Sequence, residues 1–557
     1  MGDTLLAFAA VAGKMPANLP SSAGRMKSNY PIRSILWALL SLVPVVAEYA
    51  TAADERHPRD GEIRDPDTLA WWHTTEALSG DDMEGRDTGS PAYQRAANYV
   101  AKRFEAAGLQ PGAENGSYFQ PVLLHEIAAS ERGTDFTLVR PDGSRTKLKF
   151  LEDITYVPAA NAPAQLEGAL TFRGYCGQNE MEDVAGKIVV CFGTQRANLP
   201  SASSRIANAR AGHALAVVSV DDPYFTIEPP RWPAAYARTV SLRSDSTAAG
   251  DGVGPFCVMR ISATAFAAFV KGTGHDVAGL LEDGGAQQRL PSFEIPSRLQ
   301  LHIHQSERDI SSPNILAVLP GVNSNTRNEY VVVSAHLDGY GFGTPVNGDR
   351  LYNGTLDDAA YVALLIQMAD DFRSHRLPAP ERSILFAAFT GEEKGLLGSK
   401  WYVGHPTVAV SQLAADVNLD QLRPLFPLDI LTVEALEDTT LGSIAQGVAT
   451  TLNIQLRKDA EPERNLLRRA DQIPFLLEGV PAISFIFGYD PGTVSEQRYR
   501  EWYKVRYHRP QDDLTQPVDF AAAARFNDFF YKLVVAIAAS RPRPEILPAS
   551  QFAPKKR

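Results

Sequence analysis

The sequence predicts an α/β protein with a mixed, largely parallel central sheet, helices on both faces and an inserted β-rich domain. Three observations carry this. From Arg298 onward, short β-rich runs alternate with helical stretches, the pattern of a parallel sheet covered by helices. The helical stretches place their apolar residues at helical spacing. Between about Tyr156 and Phe293 the rhythm breaks, and strand-like runs follow one another through Gly- and Pro-rich connections.

Residues 1–25 read as an upstream extension ahead of Met26. Lys27 and Arg33 then precede an apolar run from Ile35 to Ala47, and Ala50-Thr51-Ala52 supplies a small-x-small pattern. Residues 26–52 therefore read as an export signal. The run of about 13 residues falls short of the ~20 that span a bilayer, so no integral membrane domain is expected. The expected location is periplasmic or extracellular. Three cysteines allow at most one disulfide there, Cys176 with Cys191 being the nearer pair and Cys257 the alternative partner.

Residues 60–155 form the first part of the main domain. Ala96, Ala97, Val100, Ala101 and Phe104 recur at helical spacing between Pro91 and Ala107, and Gly108 stops the helix. The insert, residues 156–293, offers strands at Leu166–Arg173, Lys187–Phe192, Ala214–Val220 and Cys257–Ile261. Residues 294–540 return to the main domain, with strands at Asn314–Leu319, Tyr330–Ala335, Ser383–Phe389, Ala415–Leu419, Asp429–Val433 and Ala482–Phe487. Between them, Val362, Leu365, Met368, Ala369 and Phe372 share one face of a helix over Asp358–Phe372. The Pro-rich residues 541–557, ending in Lys555-Lys556-Arg557, are expected to be a disordered tail.

Lys and Arg number 54 against 65 Asp and Glu, and a net charge of −11 argues against a nucleic-acid binder. The chemistry is expected where strands end, because ligands of such sheets bind beyond the carboxyl ends of strands. His336 and Asp338 follow the strand at Tyr330, Asp357-Asp358 open the long helix, Glu392-Glu393 follow Phe389 and Thr390, and Asp420 follows Leu419. His508 lies in a late loop. Singly, each is as well explained as a helix cap or a solvated carboxylate. Two carboxylates at the end of the apolar strand Leu385–Phe389, however, cost desolvation unless a cation neutralises them. Two His and several carboxylates without a Cys fit zinc.

In order and spacing these residues resemble the co-catalytic di-zinc exopeptidases, a family that includes bacterial leucyl-type aminopeptidases, glutamate carboxypeptidase II and the transferrin receptor. His336-Leu337-Asp338, Asp357 within Gly354–Ala359, Glu392-Glu393 within Thr390–Ser399, Asp420 and His508 match its motifs in order. The resemblance implies two zinc ions per chain. Asp357 would bridge them, Glu393 and His508 would complete one site, and His336 and Asp420 the other. It implies a bridging hydroxide as nucleophile and Glu392 as general base. Asp338 would accept the ring N–H of His336, Asp512 would play a related part for His508, and the Asp357–Asp358 peptide would be cis. The inserted segment, through Val184–Val190 and Ala211–Val218, is similar to a protease-associated domain. Such a domain would restrict the cleft to peptide ends or serve as a docking surface.

The late pocket segment departs from the pattern. Ala470-Asp471-Gln472 stands where many members have Ser-Asp-His, and Leu467 and Arg468 stand where some have Tyr. Arg468, Arg469 and Asp471 are the candidate substrate contacts, with pairing of the two arginines to acids such as Glu463 as the alternative, and no carboxylate for a free amine is evident. The resemblance favours an exported zinc aminopeptidase acting on peptides. A carboxypeptidase or dipeptidase on the same metals is the alternative, and an inert binding ectodomain is the alternative of another class. Asn115 and Asn353 sit in sequons that read as turns.

Overall fold

The computed structural model describes residues 57–553 except 195, 197, 225–236, 247–253 and 421–423. The expected export signal and Pro554–Arg557 lie outside the described residues.

The central sheet is built on strands buried on both faces. Tyr330–His336, Ser383–Phe389 and Leu413–Leu419 run side by side in parallel, and Ala482–Phe487 joins beyond the last. Their near-continuous apolar character follows from helices covering both faces. Val331, Val333 and Ala335 face one core layer and Val332 the other, as the two-residue period of a strand requires. The layer on the first face includes residues of the helices Pro66–Ser79, Pro91–Ala106, Ala360–Arg373 and Phe520–Ala539. The opposite layer includes Tyr402 of the helix Leu397–Gly404 and Phe475 of the helix Gln472–Leu477. Antiparallel strands extend the sheet at both ends: Gln305–Leu319, Phe119–Ala129 and Arg238–Leu242 beyond Ser383–Phe389, and Ile430–Glu434 beyond Ala482–Phe487. The sheet is therefore mixed, with its parallel strands at the centre.

Two helix starts show how local sequence fixes these elements. Asp65 accepts a hydrogen bond from the Thr68 N–H at 2.8 Å ahead of Pro66, and Ser90 accepts one from the Tyr93 N–H at 3.0 Å ahead of Pro91. Each pairs a capping side chain with proline in the first turn, where the missing N–H costs nothing.

The second sheet has eight strands among the described residues, in the order Arg145–Leu148, Asp135–Val139, Ser292–His302, Gln165–Arg173, Lys187–Gly193, Ala216–Asp221, Cys257–Ile261 and Ile154–Tyr156. It thus begins at Asp135 rather than near Tyr156, and ends at His302 rather than Phe293. The hairpin Asp135–Val139 with Arg145–Leu148 belongs to it because Phe136, Leu138 and Leu148 enter its core. Within the span expected for the insert, Arg238–Leu242 pairs instead with Phe119–Ala129 of the central sheet. Cys176 is bonded to Cys191, and Cys257 is a buried thiol. Both sheets belong to one compact unit.

The expected disordered tail is placed against the body over residues 541–553. The Leu547 N–H donates to the Asp438 carbonyl at 2.8 Å and Phe552 packs against the core, so these residues have partners that composition does not reveal. Among the described residues no helix is long and apolar enough to cross a membrane.

Candidate metal centre

The register of the three central strands sets the site. His336 lies level with Phe389, and Ala335 with Leu419, so all three strands end on one rim. His336, Glu392-Glu393 and Asp420 leave the sheet there. The structure brings His336, Asp357 and Asp420 together, and separately Asp357, Glu393 and His508, with one donor atom from each residue within 4.8 Å of the others in its group. Asp357 belongs to both groups. His336 Nε2 stands 3.2 Å from Asp357 Oδ1, and His508 Nε2 stands 3.2 Å from Asp357 Oδ2 and 3.3 Å from Glu393 Oε2.

Asp357 is held by backbone rather than by rotamer alone. Gly354, at φ 62°, precedes it in a loop where an added Cβ would lie 2.5 Å from the Asp357 carbonyl, so only glycine fits. Asp512 accepts the Leu356 and Asp357 N–H groups at 3.0 and 3.1 Å. Asp358 accepts the His336 N–H at 3.1 Å, tying this loop to the strand end. The Asp357–Asp358 peptide is cis. Beneath, Arg86 is fully buried and donates only to carbonyls, those of Leu337, Leu78, Asn353 and Gly354, at 2.7 to 2.8 Å. One guanidinium thereby joins the loops that carry His336 and Asp357.

One expected role is corrected. The His336 Nδ1 faces the backbone carbonyl of Asp338 at 3.1 Å, whereas the Asp338 carboxylate is 3.9 Å away. That carboxylate instead accepts from Thr88 Oγ1 at 2.8 Å and from the Glu392 N–H at 3.0 Å, and so positions the Glu392 backbone. Asp512 serves the Asp357 loop, as above. A partner of His508 is Tyr340, which the sequence reading missed. Its hydroxyl donates to Glu393 Oε2 at 2.5 Å and lies 3.0 Å from His508 Nδ1. A carbonyl can only accept, so His336 carries its proton on Nδ1; the Tyr340 oxygen likewise accepts from His508 Nδ1–H. Both rings then aim Nε2 into the site, the tautomer that metal ligation needs.

The candidate substrate residues differ in their surroundings. Arg468 is exposed, donates to Gln551 Oε1 at 2.8 Å and stacks on Phe552. Arg469 caps a turn through its N–H to the Leu466 carbonyl at 2.9 Å. Asp471 is buried and accepts a hydrogen bond from Ser399. Burial, countered by Ser399 and His336, pushes its carboxyl up to about 7. Asn353, of the second sequon, buries its amide against the Ser79 carbonyl at 2.9 Å.

The electrostatics fit a cation. Burial, reinforced by neighbouring carboxylates, raises both Glu392 and Glu393 well above the usual carboxylate range. Burial disfavours a charge on His336, but Asp358, Asp357, Glu392 and Asp420 outweigh it and hold its ring well above the ordinary value. The buried Glu393 Oε1 has no hydrogen-bond partner. An orphaned carboxylate oxygen among further buried carboxylates is costly unless a positive ion sits there, and two imidazoles with three carboxylates form a zinc donor set. The residues present therefore fit zinc. Beside the centre, a cavity of about 290 Å³ runs from Glu393 and Lys394 to Arg238, Tyr156, Val258 and Arg260, the last three from the second sheet.

Residues 314–534 match the model of Peptidase family M28. A probable zinc metalloprotease of Pyrenophora teres f. teres is 28% identical over 226 residues, which are 39% of this chain and 47% of that relative. The aminopeptidase YwaD of Bacillus subtilis is 26% identical over 207 residues, 37% of this chain and 40% of its own length. The chain thus spans about half the length, or less, of these curated relatives. In fold it is similar to the aminopeptidase from Aneurinibacillus sp. strain AM-1, with a TM-score of 0.56 at 18% identity, over 86% of this chain and 95% of that one.

Proposed function

We propose that this chain is an exported zinc aminopeptidase that releases N-terminal residues from peptides. The observation that carries the reading is the pair of donor groups sharing Asp357, on a segment that matches Peptidase family M28. His336 and Asp420 would hold one ion, Glu393 and His508 a second, with Asp357 common to both. Ions bound there polarise a scissile carbonyl and lower the pKa of an attacking water. Glu392, raised by burial and by neighbouring charge, takes the water's proton and returns it to the leaving amine. Asp338 fixes the backbone from which Glu392 projects, and Tyr340 holds Glu393 and His508 in register. Export is supported by the apolar run Ile35–Ala47 and by the Cys176–Cys191 disulfide, a bond favoured in oxidising compartments. The second sheet, reaching the cleft through Tyr156, Val258 and Arg260, would limit entry to chain ends.

A carboxypeptidase or dipeptidase reading has one observation in its favour, the cationic Arg260 and Lys394 in the same cleft as Glu393. Hydrolysis of aminoacyl-nitroanilides against N-blocked dipeptides separates the two. Turnover of the free-amine substrates is expected, and turnover of blocked substrates alone would reject the aminopeptidase reading.

A further inference from the structure

We propose a third metal site, separate from the catalytic donors and built from His57, His73 and Glu76. His73 and Glu76 lie three residues apart on the helix Pro66–Ser79 and so share a face. His57 reaches them from the segment that leads into the helix. Its Nδ1 is 2.5 Å from Glu76 Oε2, and its ring stacks on that of His73 with centroids 4.0 Å apart. One donor atom from each of the three residues lies within 4.8 Å of the other two. A carboxylate adjoins the cluster, since Asp60 Oδ1 is 2.8 Å from His73 Nε2.

The chemistry selects the ion. Two imidazoles and a carboxylate, with no thiolate, suit Zn²⁺ and its borderline neighbours, whereas Ca²⁺ and Mg²⁺ seek oxygen shells. Zinc–donor distances of about 2.0–2.2 Å require only small adjustments of side chains already gathered. Glu76 is 8% exposed, while His57 and His73 retain 32% and 35%, which leaves a path from solvent. The approach of His57 is itself fixed. Arg59 donates to the Gln516 carbonyl at 2.8 Å and lies 4.5 Å over the Phe520 ring, so the segment is held whether or not an ion is present. A bound ion fastens the entering chain to the helix Pro66–Ser79. That helix in turn donates through Trp71 Nε1 to the Ala360 carbonyl at 2.7 Å, where the helix after Asp357 begins. The site is structural and takes no part in turnover.

The full chain, stripped with a chelator, reloaded with Zn²⁺ and freed of excess by gel filtration, tests this. Zinc per chain and peptide turnover are measured for the wild type, for His57→Ala/His73→Ala and for Glu76→Gln, the last preserving shape should the double variant fail to fold. The variants are expected to carry one zinc fewer, with unchanged turnover and a smaller rise of Tm on adding zinc. A zinc content equal to that of the wild type overturns the proposal. So does loss of zinc together with turnover, which would put the lost ion in the catalytic centre.

Discussion

Arg86 donates through Nε to the Leu337 carbonyl at 2.8 Å, and its Nη2 donates at the same distance to Gly354. The strand end carrying His336 and the loop carrying Asp357 are thus joined by a single planar group. Burial, opposed by Asp512, Asp338, Asp358 and Asp357, lowers its pKa to about 10, so it stays charged at neutral pH. Arg86→Lys keeps the charge but cannot reach four carbonyls at once. Each buried carbonyl left unpaired costs about 1–3 kcal/mol. A loss of roughly 3 kcal/mol in urea unfolding, with weaker zinc binding in a chelator competition, is expected.

Tyr340→Phe removes one hydroxyl from between Glu393 and His508. The ring still fills its place, so the fold should persist. Removing such an outer partner of metal ligands lowers metal affinity about 10- to 100-fold. Zinc competition against a chromogenic chelator should show that drop; an unchanged affinity would remove Tyr340 from the site.

Glu392→Gln is nearly isosteric and leaves the five donors intact. Zinc content should match the wild type while peptide turnover falls by at least a hundredfold, within the range for loss of a general base. Retained turnover would reject Glu392 as the base.

Glu434 gives a pH dependence away from the centre. Burial, with Asp459 adding and Arg464 opposing, lifts its carboxyl to about 7 from 4.5. Between those values the folded state binds the proton and the unfolded state releases it. Stability from this group is therefore complete below about pH 4.5 and is lost as pH rises through about 7. The full effect approaches roughly 3 kcal/mol. Glu434→Gln should flatten the fall of the denaturant midpoint between pH 5 and pH 8, measured as wild type minus variant; identical slopes would count against it.

Much of this was legible in the sequence for a geometric reason. His336 and Asp420 stand at or directly after the ends of strands and Glu392-Glu393 three residues beyond one, and parallel strands in register must bring such residues to one rim. Arg86 and Tyr340 were not legible, because their partners are remote in sequence: backbone carbonyls in one case, and Glu393 and His508 in the other. Asp338 and Asp512 were picked out for acidity near a His, but Asp338 accepts from the Thr88 hydroxyl and the Glu392 N–H, and Asp512 accepts from the Leu356 and Asp357 N–H groups, choices that composition does not encode. The second sheet's limits were misplaced because the hairpin from Asp135 to Leu148 alternates like any edge hairpin, and only its partner strand Ser292–His302 assigns it. The tail departed from expectation through Phe552, an apolar residue in a Pro-rich stretch that finds a core to join.

The most direct measurement is anomalous X-ray diffraction at the zinc edge from crystals of the zinc-loaded protein. Two peaks flanking Asp357 are expected, one beside His336 and Asp420 and the other beside Glu393 and His508. The absence of density at Asp357, or a single peak that leaves either pair of donors bare, would contradict a two-metal centre.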